Sequence, residues 1–236
     1  MERKWVICAA SAAMILAAVA WRAMDMPELS DSVPAFAAET AGESQTEEPA
    51  AQSVFPWALE DNGLVVEALA SYEGPYWEDG SDEPVSDVAA LMLYNPSGRV
   101  VEYAAVAVEQ GMDTLYFFVS WLPPESRCLV LEKNRAAYSC QAVTGCRALL
   151  TCWGGGETDA PQLEIGWEDL RMAVTNCSAA TVPDVTVHYK MYAPSDGCYL
   201  GGIAYSVHLT ALLPGQKRLV TAYHFAPETG KVVAIT

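Results

Sequence analysis

Between positions 23 and 98 there is no lysine and no arginine, while Asp and Glu occur 16 times. Past Met24 the chain carries 29 acids against 10 bases, and the bases are scattered, with Lys217-Arg218 the one adjacent pair. Without a basic stripe nothing neutralises a phosphate backbone, which argues against nucleic acid as a partner. The same charge opposes docking on anionic lipid, so a membrane enters only through an N-terminal segment. Reaction frameworks are missing as well. There is no G-x-S-x-G elbow, no H-E-x-x-H, no P-loop and no G-x-G-x-x-G turn. Gly154-Gly155-Gly156 is followed by Glu157 rather than Lys and reads as a flexible connection. No two cysteines have the C-x-x-C spacing of zinc ribbons or thioredoxin-like sites. Helical periodicity is absent too: past Trp21, apolar residues never recur at i, i+3, i+4 and i+7 over a helix length.

What is present begins with Arg3 and Lys4, followed by an uncharged, Ala-rich run over residues 5–21. A basic start before such a run is an export signal. Seventeen residues fall short of the ~20 of a usual spanning helix. Either Ala18-Val19-Ala20 or Ala35-Phe36-Ala37 is a cleavage site and the protein is secreted, or residues 1–22 stay as an anchor with Arg3 and Lys4 inside. The expected location is extracytoplasmic, single-pass anchored or secreted. Residues 23–59 read as an acidic disordered linker. Within it, 39–53 have no aromatic and no large aliphatic side chain, so they cannot bury enough surface to offset their ordering entropy.

From residue 63 the pattern changes to short runs of period two, and one unit occurs twice. An apolar strand ends in Asn95 and again in Asn176. A short polar turn and a β-branched strand follow, and each unit closes on Leu-Pro, at Leu122-Pro123 and at Leu213-Pro214. Repetition implies two similar modules, 60–143 and 144–236, with Asn95 on Asn176 and Pro123 on Pro214. Asn95-Pro96-Ser97-Gly98 fits a type I turn, Asp196-Gly197 closes a long hairpin, and Leu213-Pro214-Gly215-Gln216 fits a type II turn. Many short strands with evenly spaced turns mean a sandwich or barrel. The expected fold is all-β: two tandem antiparallel immunoglobulin-like β-sandwiches behind an N-terminal apolar helix and the acidic linker.

The second module reads Asn176-Cys177-Ser178, then VPDVTVHYKMY over 182–192, then Asp196-Gly197, then Leu212-Leu213-Pro214-Gly215-Gln216. It resembles the FxLYD-type and related immunoglobulin-like domains of bacterial cell-envelope proteins. The resemblance covers 162–225 and, more loosely, 88–132, where Pro-Pro-Glu stands in place of Pro-Gly-Gln. It implies an exported adhesive or scaffolding module with no catalytic residue to carry over.

Candidate chemistry concentrates in the acidic-aromatic loop 72–87. Glu78, Asp79, Asp82 and Glu83 offer hard oxygen ligands around Gly80, as calcium requires, although the EF-hand spacing is absent. Tyr72, Tyr76 and Trp77 offer a stacking surface for a sugar ring or a protein. These seven are the candidate binding residues; a solvated loop is the plainer reading. His188, His208 and His224 fall on three successive strands, either within reach of one metal or as scattered surface residues. Cys128, Cys140, Cys146, Cys152, Cys177 and Cys198 permit disulfides and equally permit packing as free thiols, and their spacing suits no fixed metal site. Asn176-Cys177-Ser178 matches the glycosylation sequon. No cofactor is expected. The expected function is non-enzymatic: binding or scaffolding an extracellular protein or glycan of the cell envelope. The alternative is a metal- or sugar-dependent hydrolase built on loop 72–87, and a third reading is a ligand-free spacer.

Overall fold

The computed structural model describes residues 54–154 and 162–236; the apolar N-terminal run, segment 39–53 and most of the glycine-rich connection lie outside the described residues. Runs of β-branched and aromatic side chains cut by Gly, Pro and Asn favour short strands. The described residues hold thirteen of them and no helix. The first seven are β1 (Trp57–Ala58), β2 (Val65–Pro75), β3 (Pro84–Asn95), β4 (Val101–Gln110), β5 (Asp113–Leu122), β6 (Ser126–Leu131) and β7 (Val143–Trp153). The others are β8 (Leu163–Glu168), β9 (Arg171–Asn176), β10 (Val182–Ala193), β11 (Cys198–Leu212), β12 (Lys217–Val220) and β13 (Gly230–Ile235).

They form three sheets, ordered β1-β2-β3-β6-β11-β10-β13, β12-β9-β8 and β5-β4-β7. Within this the chain traces one six-strand path twice. The pairings β2-β3-β6 and β5-β4-β7 recur as β8-β9-β12 and β11-β10-β13. In the first circuit Leu91, Leu93 and Val130 meet Val106, Phe117 and Val119 across a shared core. In the second, Met172 and Val174 meet Val185, Val187 and Leu209.

Each circuit is pinned at the same place. Asn95 is fully buried, and its Nδ2 donates to the carbonyls of Arg99, Leu122 and Pro123, while its Oδ1 accepts from Ser97 N and Oγ. Asn176 is equally buried; its Nδ2 donates to Ala180 and Leu212, and its Oδ1 accepts from Ser178 N and Oγ. Backbone angles set the register of the closing turn. Trp121 and Ala211 both have positive φ, as do Glu125 and Gly215 four residues later. Pro124, not Pro123, therefore takes the place of Pro214, one residue from the expected match.

Two boundaries also differ from the sequence reading. Strand β7, placed by sequence mostly in the second module, pairs with β4 along its length, from Val101↔Trp153 to Gln110↔Val143. The first unit starts before residue 60: Trp57 and Ala58 pair with Val66 and Val65, and Phe55 and Trp57 pack on the first core. Aromatic side chains inside the acidic stretch bury enough apolar surface to order it.

The circuits differ in two hairpins. The β8–β9 hairpin closes at Asp169-Leu170, both with positive φ, the geometry of a type I′ turn. Its counterpart β2–β3 runs on to Pro75↔Pro84 with a further loop beyond. Conversely, β4–β5 turns tightly after Gln110↔Asp113, whereas β10–β11 extends to Ala193↔Cys198. Leu170 is 84% exposed and buries little in exchange for its backbone conformation. Leu170→Gly is expected to stabilise the protein by ~1 kcal/mol, read as a higher urea midpoint at unchanged slope. A lower midpoint would contradict the turn assignment.

Candidate functional site at the junction

The two long hairpins, whose extensions have no counterpart in the other circuit, pack on one another. Tyr72, Tyr76 and Trp77 from the first meet Ala193, Cys198 and Leu200 from the second in a separate core. This is why β3 and β6 are apolar on both faces. Ala89, Leu91, Cys128 and Val130 serve the first core, while Ala90, Met92, Leu129 and Leu131 serve the junction. At the same place β11 lies parallel to β6 through Cys198↔Arg127, Tyr199↔Cys128 and Leu200↔Leu129. This seam makes the seven-stranded sheet continuous.

Beyond the seam β11 bulges. Its pairing with β10 jumps from Met191↔Leu200 to Tyr189↔Tyr205, so residues 201–204 stand opposite Lys190 alone. A bulge frees backbone groups from the ladder, and buried ones need partners. Two side chains of opposite charge supply them. Lys190, 0% exposed, donates from Nζ to the carbonyls of Gly202 (2.7 Å), Ile203 (2.9 Å) and Ser120 (3.2 Å). Glu78 turns its carboxylate inward, where Oε1 accepts from Leu131 N and Gly202 N, both at 2.8 Å. Ser120 completes the set, its hydroxyl donating to Gly202 O and accepting from Ala204 N. Only glycine fits here: a Cβ on Gly202 would overlap the Phe118 carbonyl oxygen, and Gly201 has φ +78 against Trp77. Burial raises the Glu78 pKa, opposed by the Leu131 and Gly202 amides and by Lys190. Burial lowers that of Lys190, opposed by Cys128 and Glu78.

Above this buried pair opens a groove of about 480 Å³. Leu131, Ile203 and Phe118 line it, and Asp79, Lys133 and Arg135 stand among its polar residues. Tyr76 is held by its hydroxyl, which donates to the carbonyls of Glu132 and Lys133. Its pKa is pushed up to about 12 by burial first and by Glu78 next. Arg135 lies 4.5 Å from the Tyr76 ring and pairs with Asp79 (2.8 Å) and Glu83 (2.9 Å). Lys133 lies 4.7 Å from the Phe118 ring, whose other neighbour is the stacked Tyr103.

The seven candidate residues of loop 72–87 thus come together, but in roles other than those expected. Tyr72, Tyr76 and Trp77 are 1–2% exposed and offer no face for stacking a sugar. Glu78 is saturated by amides, Asp79 and Glu83 are tied to Arg135, and Asp82 meets His224 Nδ1 at 3.3 Å. The calcium reading needs several carboxylates converging on one point. Among the described residues no three His, Cys, Asp or Glu side chains are grouped to hold a metal ion. The histidines diverge: His188 stacks on Trp121, His208 pairs with Asp184, and His224 lies against Tyr205. Lys190, Ser120, Phe118 and Lys133 were missed by sequence reasoning. The one legible trace was Gly201-Gly202 inside an otherwise alternating strand, a bulge signal.

Asn176 spends its amide within the fold, so the sequon nitrogen is buried rather than presented. Among the cysteines, Cys128, Cys146 and Cys198 are buried and Cys140, Cys152 and Cys177 exposed. Burial pushes the Cys128 thiol up to about 11 and those of Cys146 and Cys198 to about 12. Iodoacetamide is expected to label Cys152 and Cys177 in the native protein and to reach Cys128, Cys146 and Cys198 only after denaturation. Peptide mass analysis showing native labelling of Cys128 at the rate of Cys177 would contradict the burial. No family model, no curated protein and no solved structure matches this chain.

Proposed function

We propose that the chain is an exported, non-enzymatic binding or scaffolding protein. It is membrane-tethered or secreted, and its two immunoglobulin-like β-sandwiches present the junction groove to a protein or glycan of the cell envelope. The observation that carries this reading is the junction itself. The extensions of two hairpins beyond the repeated path, the Glu78 and Lys190 side chains that satisfy the β11 bulge, and a parallel strand seam are devoted to holding one concave surface in a fixed shape. A spacer needs none of these, since modules joined by a flexible connection serve as well. A hydrolase would need carboxylates facing a substrate, whereas Glu78, Asp79, Asp82 and Glu83 are engaged with backbone amides, Arg135 and His224. The basic start and apolar run over 5–21 support export, and the FxLYD-like pattern over 162–225 supports the envelope setting.

The reading is tested in cells of the source. A photo-crosslinking residue at Asn134, on the groove, is expected to form a discrete adduct outside the cytoplasm, and one at Leu170, on the β8–β9 turn, is not. Recovery of the protein in the cytosol, or identical adduct patterns from both positions, would defeat the proposal. So would glycosidase activity lost on Asp79→Asn.

A further inference from the structure

We propose that the junction groove recognises the C-terminal residue of a peptide that ends in an apolar or aromatic side chain, its carboxylate seated on Lys133. This rests on the reading of the groove as a ligand site and names its ligand. The argument is one of elimination among charges. Arg135 is neutralised by Asp79 and Glu83. Glu78 is held by the Leu131 and Gly202 amides, with Lys190 behind it. Glu132 is buried and points away, accepting from the amides of Tyr116, Asn134 and Ala136. Lys133 is exposed and makes no ion pair among the described residues; its ammonium lies against the Phe118 ring.

In a chain with formal net charge −17, a cation left without a carboxylate inside a concavity is where an anion is attracted. The floor decides what that anion is attached to. Ile203 and Phe118, both half-buried, offer apolar surface beside the ammonium, suited to an aliphatic or aromatic side chain. A volume of about 480 Å³ admits such a residue with its terminal carboxylate. A sugar would instead call for exposed rings and free hydrogen-bonding groups, and the rings nearest the loop are buried. Lys133 supplies a charge-assisted hydrogen bond, and Phe118, braced by Tyr103, supplies apolar contact beside it.

The probes are N-acetylphenylalanine and its neutral amide, titrated into the isotope-labelled protein and followed by amide NMR shifts. The acid is expected to move Leu131, Asn134 and Ile203 saturably and to bind about fivefold more tightly than the amide, as one partly exposed ion pair allows. Lys133→Met is expected to abolish that preference, so that acid and amide bind alike, and Lys133→Arg to keep it. Since Lys133 is exposed, the Met variant retains the fold, which its unshifted spectrum checks. Equal binding of acid and amide by the native protein would overturn the carboxylate proposal while leaving the groove as a binding site. Absence of binding by both would overturn it as well, and the groove reading would then stand or fall on the crosslinking result. A preference that survives in Lys133→Met would place the carboxylate elsewhere and overturn the role given to Lys133.

Discussion

Lys190→Met is expected to destabilise the protein by about 3–5 kcal/mol, the cost of removing a buried ammonium that satisfies three backbone carbonyls and offsets a nearby carboxylate. Methionine fills a similar volume, so the loss is not a cavity effect. It comes from two sources. The Ile203 and Ser120 carbonyls lose their lysine donor, while Gly202 O keeps Ser120 Oγ. The Glu78 carboxylate, already penalised by burial, loses the cation that offsets it. Adding Glu78→Gln should recover part of the loss. Its Oε1 can still accept from Leu131 N and Gly202 N, and the uncompensated anion is gone. A coupling of about 1–3 kcal/mol between the two sites is expected from the double-mutant cycle in urea. Strict additivity would mean that the charges do not sense one another, and a loss below about 1 kcal/mol for Lys190→Met would mean that water replaces the ammonium.

Asn95→Ala and Asn176→Ala are each expected to cost about 2–4 kcal/mol. Each removes a buried amide that satisfies at least two backbone carbonyls and orders a serine turn. The two losses should agree within about 1 kcal/mol, because the same bonds recur at the same steps of each circuit. Asn95→Asp should be worse than alanine, since a carboxylate oxygen would then face the carbonyls of Arg99, Leu122 and Pro123. Equilibrium unfolding of the three variants checks all of this. A large loss at one asparagine and none at the other would show that the apparent equivalence has no energetic content.

These asparagines were legible in the sequence because the interaction is local: the side chain bonds to groups two and four residues on, so its signature is a short string. The all-β character was legible for the same reason, as alternation and turn chemistry act over a few residues. What failed was information carried by distant partners. Loop 72–87 looks like solvated surface because its acids outnumber its rings, and nothing local says that the rings meet a hairpin 120 residues later. Strand β7 follows the first circuit without a distinguishing turn, and only its pairing with β4 assigns it. The one-residue slip between Pro123 and Pro124 arose because Leu-Pro is a composition signal, whereas the register is set by positive φ at Glu125 and Gly215.

The seam between β6 and β11 has a mechanical consequence. β1 and β13 occupy opposite edges of the seven-stranded sheet, which at ~4.8 Å per strand sets them about 29 Å apart. Tension applied between Trp57 and Ile235 acts across the strands rather than along them, so each ladder is loaded bond by bond. The three-pair β6–β11 contact would be a weak rung by itself. It is reinforced by the interlocked hairpins, with Trp77 lodged against Gly201 and Glu78 bonded to Gly202. A pull on one unit is thus passed to the other through side chains on both faces of the sheet, and the pair resists as a single stiff body. The two-residue β1, held to β2 alone, is the part that yields first.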